Sequence, residues 1–229
     1  MKNLPDLKHE KSLWKKGFTV IGIDEVGRGC LAGPLTVGAV IFEKIGKKQK
    51  IEELESIGIN DSKKLTSKKR EELSKIIKKS ALYYSCASIN VSVINKRGIV
   101  KATQMAVRKA IKRIMNHESG IRNKNNKFLI HNSKFFILAD AFYIKYVKGI
   151  GLKNQKAIIH GDGISISIAA ASIIAKVTRD KLMGRLSKKH PEYNWSKNKG
   201  YGTHDHILAL KKHGKTSYHR ELFISKIIY

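Results

Sequence analysis

The chain has 229 residues with 46 Lys+Arg against 18 Asp+Glu, a formal net charge of +28 at pH 7, and 41% hydrophobic residues, enough for a buried core, so wholesale disorder is excluded. The charged opening MKNLPDLKHEKSLWKKGFTV has no apolar stretch of a secretory signal, and no run of about 18 apolar residues exists to span a bilayer. Two cysteines, Cys30 and Cys86, cannot build a disulfide framework, which points to a reducing, cytoplasmic setting, and the charge points to a polyanion, nucleic acid ahead of a membrane surface.

Residues 1–17 read as a polar lead-in. Phe18–Ile23 is a β-rich apolar run ending at Asp24-Glu25, and Leu35–Phe42 is a second; the short Gly-rich gap predicts an antiparallel pair rather than a helical crossover. Residues 43–65 are lysine-rich and read as irregular. Thr66 is placed to cap a helix with Leu73, Ile76 and Ile77 on its apolar face, followed by a strand over Leu82–Ile89. Val100, Thr103, Val107, Ala110, Ile111 and Ile114 share one face of the next helix. Residues 116–134, rich in Asn and Lys, read as a surface loop. Phe135–Ala139 is a buried-looking strand that stops at Asp140, and Ala157–Ile159 is a short one followed by Gly161-Asp162-Gly163. Ile168–Ala175 opens a helix running to about Leu186, whose consecutive alanines suit close packing on a sheet; a basic tail from His190 includes a helix near His206–Lys212. This order predicts a mixed α/β fold, a sheet flanked by helices with a small helical C-terminal extension. The divisions expected are 1–17, 18–186 and 187–229.

Acids are scarce here, so their positions are informative. Asp24-Glu25 and Asp140 end strands, and Asp162 precedes a helix, at the kind of sheet edge where α/β proteins hold ligands. Carboxylates converging there would repel unless cations sat between them, and hard oxygen donors suit Mg²⁺ or Mn²⁺. In a nucleic-acid-binding chain that combination points to two-metal phosphodiester hydrolysis. The plainer alternatives are that Asp162 is only an N-cap and Asp24 only a turn former before Gly27. Neighbours on a regular strand point to opposite faces, so Asp24 and Glu25 share a site only if the strand ends or bends there.

Gly27-Arg28-Gly29-Cys30-Leu31-Ala32 satisfies the dinucleotide fingerprint, but that fingerprint must open a helix, whereas Gly33-Pro34 leads into another β run. The remaining choices are a tight turn, or a loop whose amides approach a sugar-phosphate while Arg28 donates to phosphate. Beyond these residues the pattern becomes specific. Ile23–Pro34 resembles the opening signature of type 2 ribonuclease H (ribonuclease HII), and Asp61–Leu65, Leu138-Ala-Asp140, Gly161-Asp162, Ile168–Asp180, Lys199–His204 and His219-Arg220 are similar to later blocks in the family's order.

The resemblance covers about residues 18–223 and implies an RNase H-like fold. It implies an endonuclease that hydrolyses the RNA strand of RNA–DNA hybrids and incises 5′ to ribonucleotides embedded in duplex DNA, leaving 3′-hydroxyl and 5′-phosphate ends. Asp24, Glu25, Asp140 and Asp162 take the positions of the acidic metal ligands for two divalent ions, Mn²⁺ or Mg²⁺, with Asp24 expected between them. Gly27, Arg28 and Gly29 take the place of the family's Gly-Arg-Gly element, expected at the ribose 2′-OH, and Tyr201 that of its junction-sensing tyrosine. Lys63 and Lys64 are expected to grip phosphates, with some of Lys176, Lys197, Lys199 and Arg220. Asp180 rivals Asp162 as a ligand, but a helical path would separate them by about 27 Å, and an ion pair on the helix suits it better. His204-x-His206 has no partner Cys or acid cluster and is not taken as a metal site. Ala141 replaces the family's more usual glycine, and the 116–134 segment looks longer than usual. Ribonuclease HIII is set aside because only about 17 residues precede the first strand, too few for its N-terminal domain. A non-catalytic nucleic-acid binder explains the charge equally but not the acids. A monomer is expected, and docking on a replication clamp has no support in the sequence.

Overall fold

The computed structural model describes residues 4–44, 48–116, 120–121 and 134–228. Its strands are β1 (Phe18–Val26), β2 (Leu35–Ile41), β3 (Tyr83–Ile89), β4 (Gly120–Ile121), β5 (Lys134–Asp140) and β6 (Gln155–Ile158), in the sheet order β4-β3-β2-β1-β5-β6. The β1–β2, β2–β3 and β3–β4 pairs are antiparallel, whereas β5 and β6 add in parallel on the other side of β1. All seven positions of β2 are buried, as expected for a central strand covered on both faces.

Period-two alternation sorts the strand residues between two cores. Ile21, Ile23, Val37, Ala39 and Ile41 face helix α5 (Ile99–Met115). Val20, Val40 and Leu138 face the long helix α6 (Ile166–Lys189) and, beside it, α3 (Ser67–Ser80). The sheet receives α6 at very close range. A Cβ on Gly22 would fall 2.2 Å from the Ser167 carbonyl carbon, and one on Gly38 2.2 Å from the Ala171 carbonyl oxygen. Glycines on the strands and alanines at 169–171 are therefore two halves of one contact.

Thr66 caps α3, its Oγ1 accepting from the Lys69 N–H at 3.2 Å. Two residues counted on apolar faces turn outward: Ile76 is 40% and Val100 56% exposed. The polar lead-in contains helix α1 (Lys8–Lys15), and the stretch read as irregular contains α2 (Lys48–Ser56) and a 3-10 turn at Ser62–Lys64; α4 (Val91–Arg97) was also unforeseen. The predicted 116–134 loop lies mostly outside the described residues, but Gly120–Ile121 within it form β4 on the edge of β3. After α6 come α7 (Trp195–Asn198), α8 (His204–His213) and α9 (Glu221–Ile228). Tyr193, Trp195, Leu210 and Ile224 of this tail pack on Met183 and Leu186 of α6, which itself crosses the 186/187 division, and on Leu31 and Ala32. Among the described residues no helix is long and apolar enough to cross a membrane.

Candidate active site

The sheet opens where β1 outruns β5. Their parallel pairing stops at Ile23↔Ala139, while β1 continues against β2 to Val26↔Thr36. Beyond Ile23 one edge of β1 has lost its neighbour, and Asp24, Glu25 and the end of β5 at Asp140 line a cavity of ≈580 Å³. The strand does not end at Asp24-Glu25 as expected; it ends at Val26, before Gly27 turns at φ +91°. Loss of the β5 partner is what lets adjacent side chains share one cleft. Gly27, Arg28, Gly29, Lys63 and Tyr201 line the same cavity.

Asp162 reaches this region from a 3-10 turn, Gly161–Gly163. The Gly161 N–H donates to Asp140 Oδ1 at 2.8 Å, which ties that turn to the end of β5. Lys63 Nζ, from the cleft wall, lies 3.2 Å from Asp162 Oδ2. The cap of α6 is Ser165, not Asp162, because the Ser165 Oγ accepts from the Ile168 N–H. Glu10 of α1 reinforces this helix start, accepting at Oε1 from Ser165 Oγ at 2.6 Å and from the Ser167 N–H at 3.0 Å. The N-cap alternative for Asp162 is thereby removed.

Burial sets the electrostatics. Asp24 is 4% exposed, and burial, with Glu25, Asp140 and Asp162 adding repulsion, pushes its carboxyl well above the usual range; Ser172 on α6 opposes this by hydrogen bonding. Burial also raises Glu25, against the pull of Arg28, and raises Asp162, against the pull of Lys63. Burial pulls the Lys63 ammonium down, but Asp162, Asp61 and Asp24 outweigh it and its pKa sits above the ordinary lysine value. No group of three or more His, Cys, Asp or Glu side chains among the described residues is arranged to hold a metal ion. Each acid instead takes a local partner: Asp24 Oδ1 the Glu25 N–H at 2.7 Å, Glu25 Oε1 Arg28 Nη1 at 3.5 Å, Asp140 the Gly161 N–H and Asp162 Lys63. Like charges held apart do this. Two observations fit a divalent cation: Glu25 Oε2 is buried with no partner among the described residues, and an ammonium already sits on Asp162. The donors are all hard oxygens.

Asp180 is held by Lys176 Nζ at 2.9 Å and by Arg70 Nη2 at 3.8 Å, the helix ion pair expected of it. Lys64 does not line the cleft; its Nζ turns to Asp61 Oδ2 at 3.8 Å. Tyr201, 40% exposed, lies under Lys176 Nζ and the Arg179 guanidinium, each 5.9 Å from its ring centre. Arg220 is a correction. Expected from sequence among the candidate phosphate grippers, it is 0% exposed and spends its donors on the Gly33 and Arg28 carbonyls, so no phosphate can reach it. His204 and His206 do not converge either: His206 is buried against Trp195 Nε1 at 3.0 Å, while the His204 side chain is 83% exposed. The sequence reading missed Ser172, Ser62 and Arg70, which also line the cleft; such small or long polar side chains on helix faces leave no periodic signal.

The family model for ribonuclease HII matches residues 21–226. The chain belongs to the ribonuclease HII family. A ribonuclease HII of Desulfitobacterium hafniense is 41% identical over 218 residues, covering 95% of this chain and 73% of that protein. Among solved structures, the PCNA:RNase HII complex from Archaeoglobus fulgidus is similar with a TM-score of 0.65 at 23% identity, covering 92% of this chain and 95% of that one. Bst-RNase HIII in complex with Mn²⁺ matches with a TM-score of 0.63 at 17% identity, over 90% of this chain and 65% of that one. These structures share the RNase H-like fold. As a ribonuclease HII, the chain is an RNase H endonuclease acting on RNA–DNA hybrids.

Proposed function

We propose that the enzyme cleaves the RNA strand of hybrids and also incises duplex DNA 5′ to a single embedded ribonucleotide, leaving 3′-hydroxyl and 5′-phosphate ends. The observation that carries this reading is one cleft lined by Asp24, Glu25 and Asp140, electrostatically joined to Asp162, and walled by Gly27–Gly29 and Tyr201. Asp24, Glu25, Asp140 and Asp162 would hold two ions, Mn²⁺ or Mg²⁺. Such ions, when bound, activate water and stabilise the leaving oxygen.

The chain's own residues set the substrate. Gly29 meets no atom within 4 Å at the place of a Cβ, so the fold itself does not require glycine there; the open space suits a close approach by the ribose, whose 2′-OH distinguishes RNA from DNA. Tyr201 presents its ring at the far wall, where it packs against the deoxyribose next to the ribonucleotide and disfavours a second 2′-OH. With Asp162 holding a cation, Lys63 beside it would be available to a phosphate, as would Arg28 in the cleft lining and the exposed Lys64 next to Lys63. The remaining positive charge supplies sequence-independent, salt-sensitive affinity. The enzyme acts as a cytoplasmic monomer, although the Archaeoglobus fulgidus enzyme was solved as a PCNA:RNase HII complex.

The test is cleavage of two labelled substrates, a long RNA–DNA hybrid and a DNA duplex with one ribonucleotide, with EDTA, Mg²⁺ or Mn²⁺. The expected result is metal-dependent cutting of both, the second at the 5′ side of the ribonucleotide. Cutting of the hybrid alone would overturn the ribonucleotide-incision reading.

A further inference from the structure

Two arginines lie fully buried behind the glycine loop. Arg179 and Arg220 are each 0% exposed, and neither pairs with a carboxylate among the described residues. Both spend their guanidinium donors on main-chain carbonyls. Arg179 holds Pro34 O at 2.9 Å, Lys199 O at 2.8 Å and Ala32 O at 3.2 Å. Arg220 holds Gly33 O through Nε at 3.0 Å and Nη2 at 2.8 Å, and Arg28 O through Nη1 at 2.9 Å. Burying an unpaired cation is costly, so it persists only where its hydrogen bonds are fully made and the geometry is worth fixing. Arg179 also dictates Gly27, since a Cβ there would fall 2.1 Å from its Nε.

The Arg28 carbonyl is the informative contact. In a planar trans peptide the C=O and the following N–H point in opposite directions. Drawing the Arg28 carbonyl inward onto buried Arg220 therefore turns the Gly29 N–H outward, toward the cleft that Gly29 lines. That N–H has no partner among the described residues. The backbone of Gly29 is outside the left-handed region, and no atom stands where its Cβ would be, so the exposed amide has room for a ligand.

We propose that Arg220 is a positioning residue for ribose recognition: by gripping the Arg28 and Gly33 carbonyls together it aims the Gly29 amide at the substrate 2′-OH. This rests on the reading that the Gly27–Gly29 backbone meets the ribose. A lysine cannot reproduce the grip, because one ammonium cannot span both carbonyls with a fixed planar fork.

The test compares equilibrium binding of a DNA duplex carrying one ribonucleotide with binding of its all-DNA counterpart, using the full chain with Ca²⁺ and scoring only intact duplex. One hydrogen bond to the 2′-OH predicts a wild-type preference of up to about tenfold for the ribonucleotide. Arg220→Lys is expected to bring that ratio to within about twofold while all-DNA affinity stays unchanged. A ratio kept by Arg220→Lys, or an equal loss of both affinities, overturns the assignment. If Arg220→Lys does not fold, Phe223→Leu replaces it: this ring lies 5.5 Å from the guanidinium and seats it from outside the cleft. It is expected to lower the ratio with all-DNA binding unchanged, and a retained ratio counts against the proposal. A wild type with no preference would bring down the glycine-loop reading itself, which is a different result from a wild type that discriminates beside a variant that does so equally.

Discussion

In the cleft, Asp24, Glu25 and Asp162 are taken out of water with too few donors, and burial raises all three carboxyls. Behind it, Arg179, Arg220, His206 and His219 are just as buried, yet their polar atoms are matched. His206 Nδ1 meets Tyr201 O at 2.8 Å, its Nε2 accepts from Trp195 Nε1, and His219 Nδ1 accepts from the Thr216 N–H at 2.9 Å. The Tyr201 and Trp195 contacts place the His206 proton on Nδ1, and its Nε2, already accepting from Trp195, faces His219 Nε2 at 3.2 Å. The first region stores electrostatic cost that a bound cation would relieve; the second also bears a burial cost, but offsets it with hydrogen bonds that hold loops still. Chemistry and positioning are thus divided between a strained wall and a satisfied one.

Removing a charge from the strained wall tests this division most strongly. Asp24→Asn is expected to lower cleavage about a thousandfold, the several kcal/mol a metal supplies, while raising the melting temperature of the metal-free protein. A carboxyl raised by folding makes the native state bind more protons, so metal-free stability should fall as pH rises from the ordinary carboxylate value through the raised one. Added Mg²⁺ should reverse that loss. An Asp24→Asn protein that melts lower than wild type without metal would break the comparison.

Gly38→Ala strikes both regions at once, because α6 carries Ser172 to the cleft and Arg179 to the loop. Its Cβ would fall 2.2 Å from the Ala171 carbonyl oxygen, so the helix must lift, at about 3 kcal/mol or roughly 10 °C in melting temperature. Calorimetry checks this. Next comes acid. Burial first, then His206, lowers His219 to about 4, and burial lowers His206 too. Folded His219 therefore binds fewer protons than the unfolded chain between about pH 6.5 and 4, and stability is lost as pH falls through that window, by up to about 3 kcal/mol. His219→Gln should flatten the slope; an unchanged slope would show that the tail does not depend on neutral histidine. The smallest effect is expected from Tyr201→Phe, which keeps the ring and should change ribonucleotide incision by less than about threefold.

The fold was legible where a β-branched apolar run stands out, as in β1 and β2, where apolar residues recur at helical spacing, as in α5, and where alanines cluster, as in α6. Helices held by few contacts were not. In α1 the buried anchors are Trp14 and Glu10, and an acid buried at a helix start reads as surface in sequence. Leu54 is buried in α2 amid lysine and glutamate, a pattern that reads as polar loop. The acids stood out because the chain has so few. Arg220 was misassigned because composition cannot tell a guanidinium aimed at phosphate from one aimed at carbonyls. Asp24 and Glu25 sharing a cleft depends on where β5 stops, a long-range property that local pattern does not encode.

The central claim is that carboxylates from β1, β5 and the turn before α6 hold divalent ions together. Mn²⁺ binding, followed by paramagnetic resonance for wild type and for Asp24→Asn, Glu25→Gln, Asp140→Asn and Asp162→Asn, tests it directly. The account predicts loss of Mn²⁺ affinity in every variant, by about tenfold or more. Undiminished binding in Asp140→Asn or Asp162→Asn would contradict it.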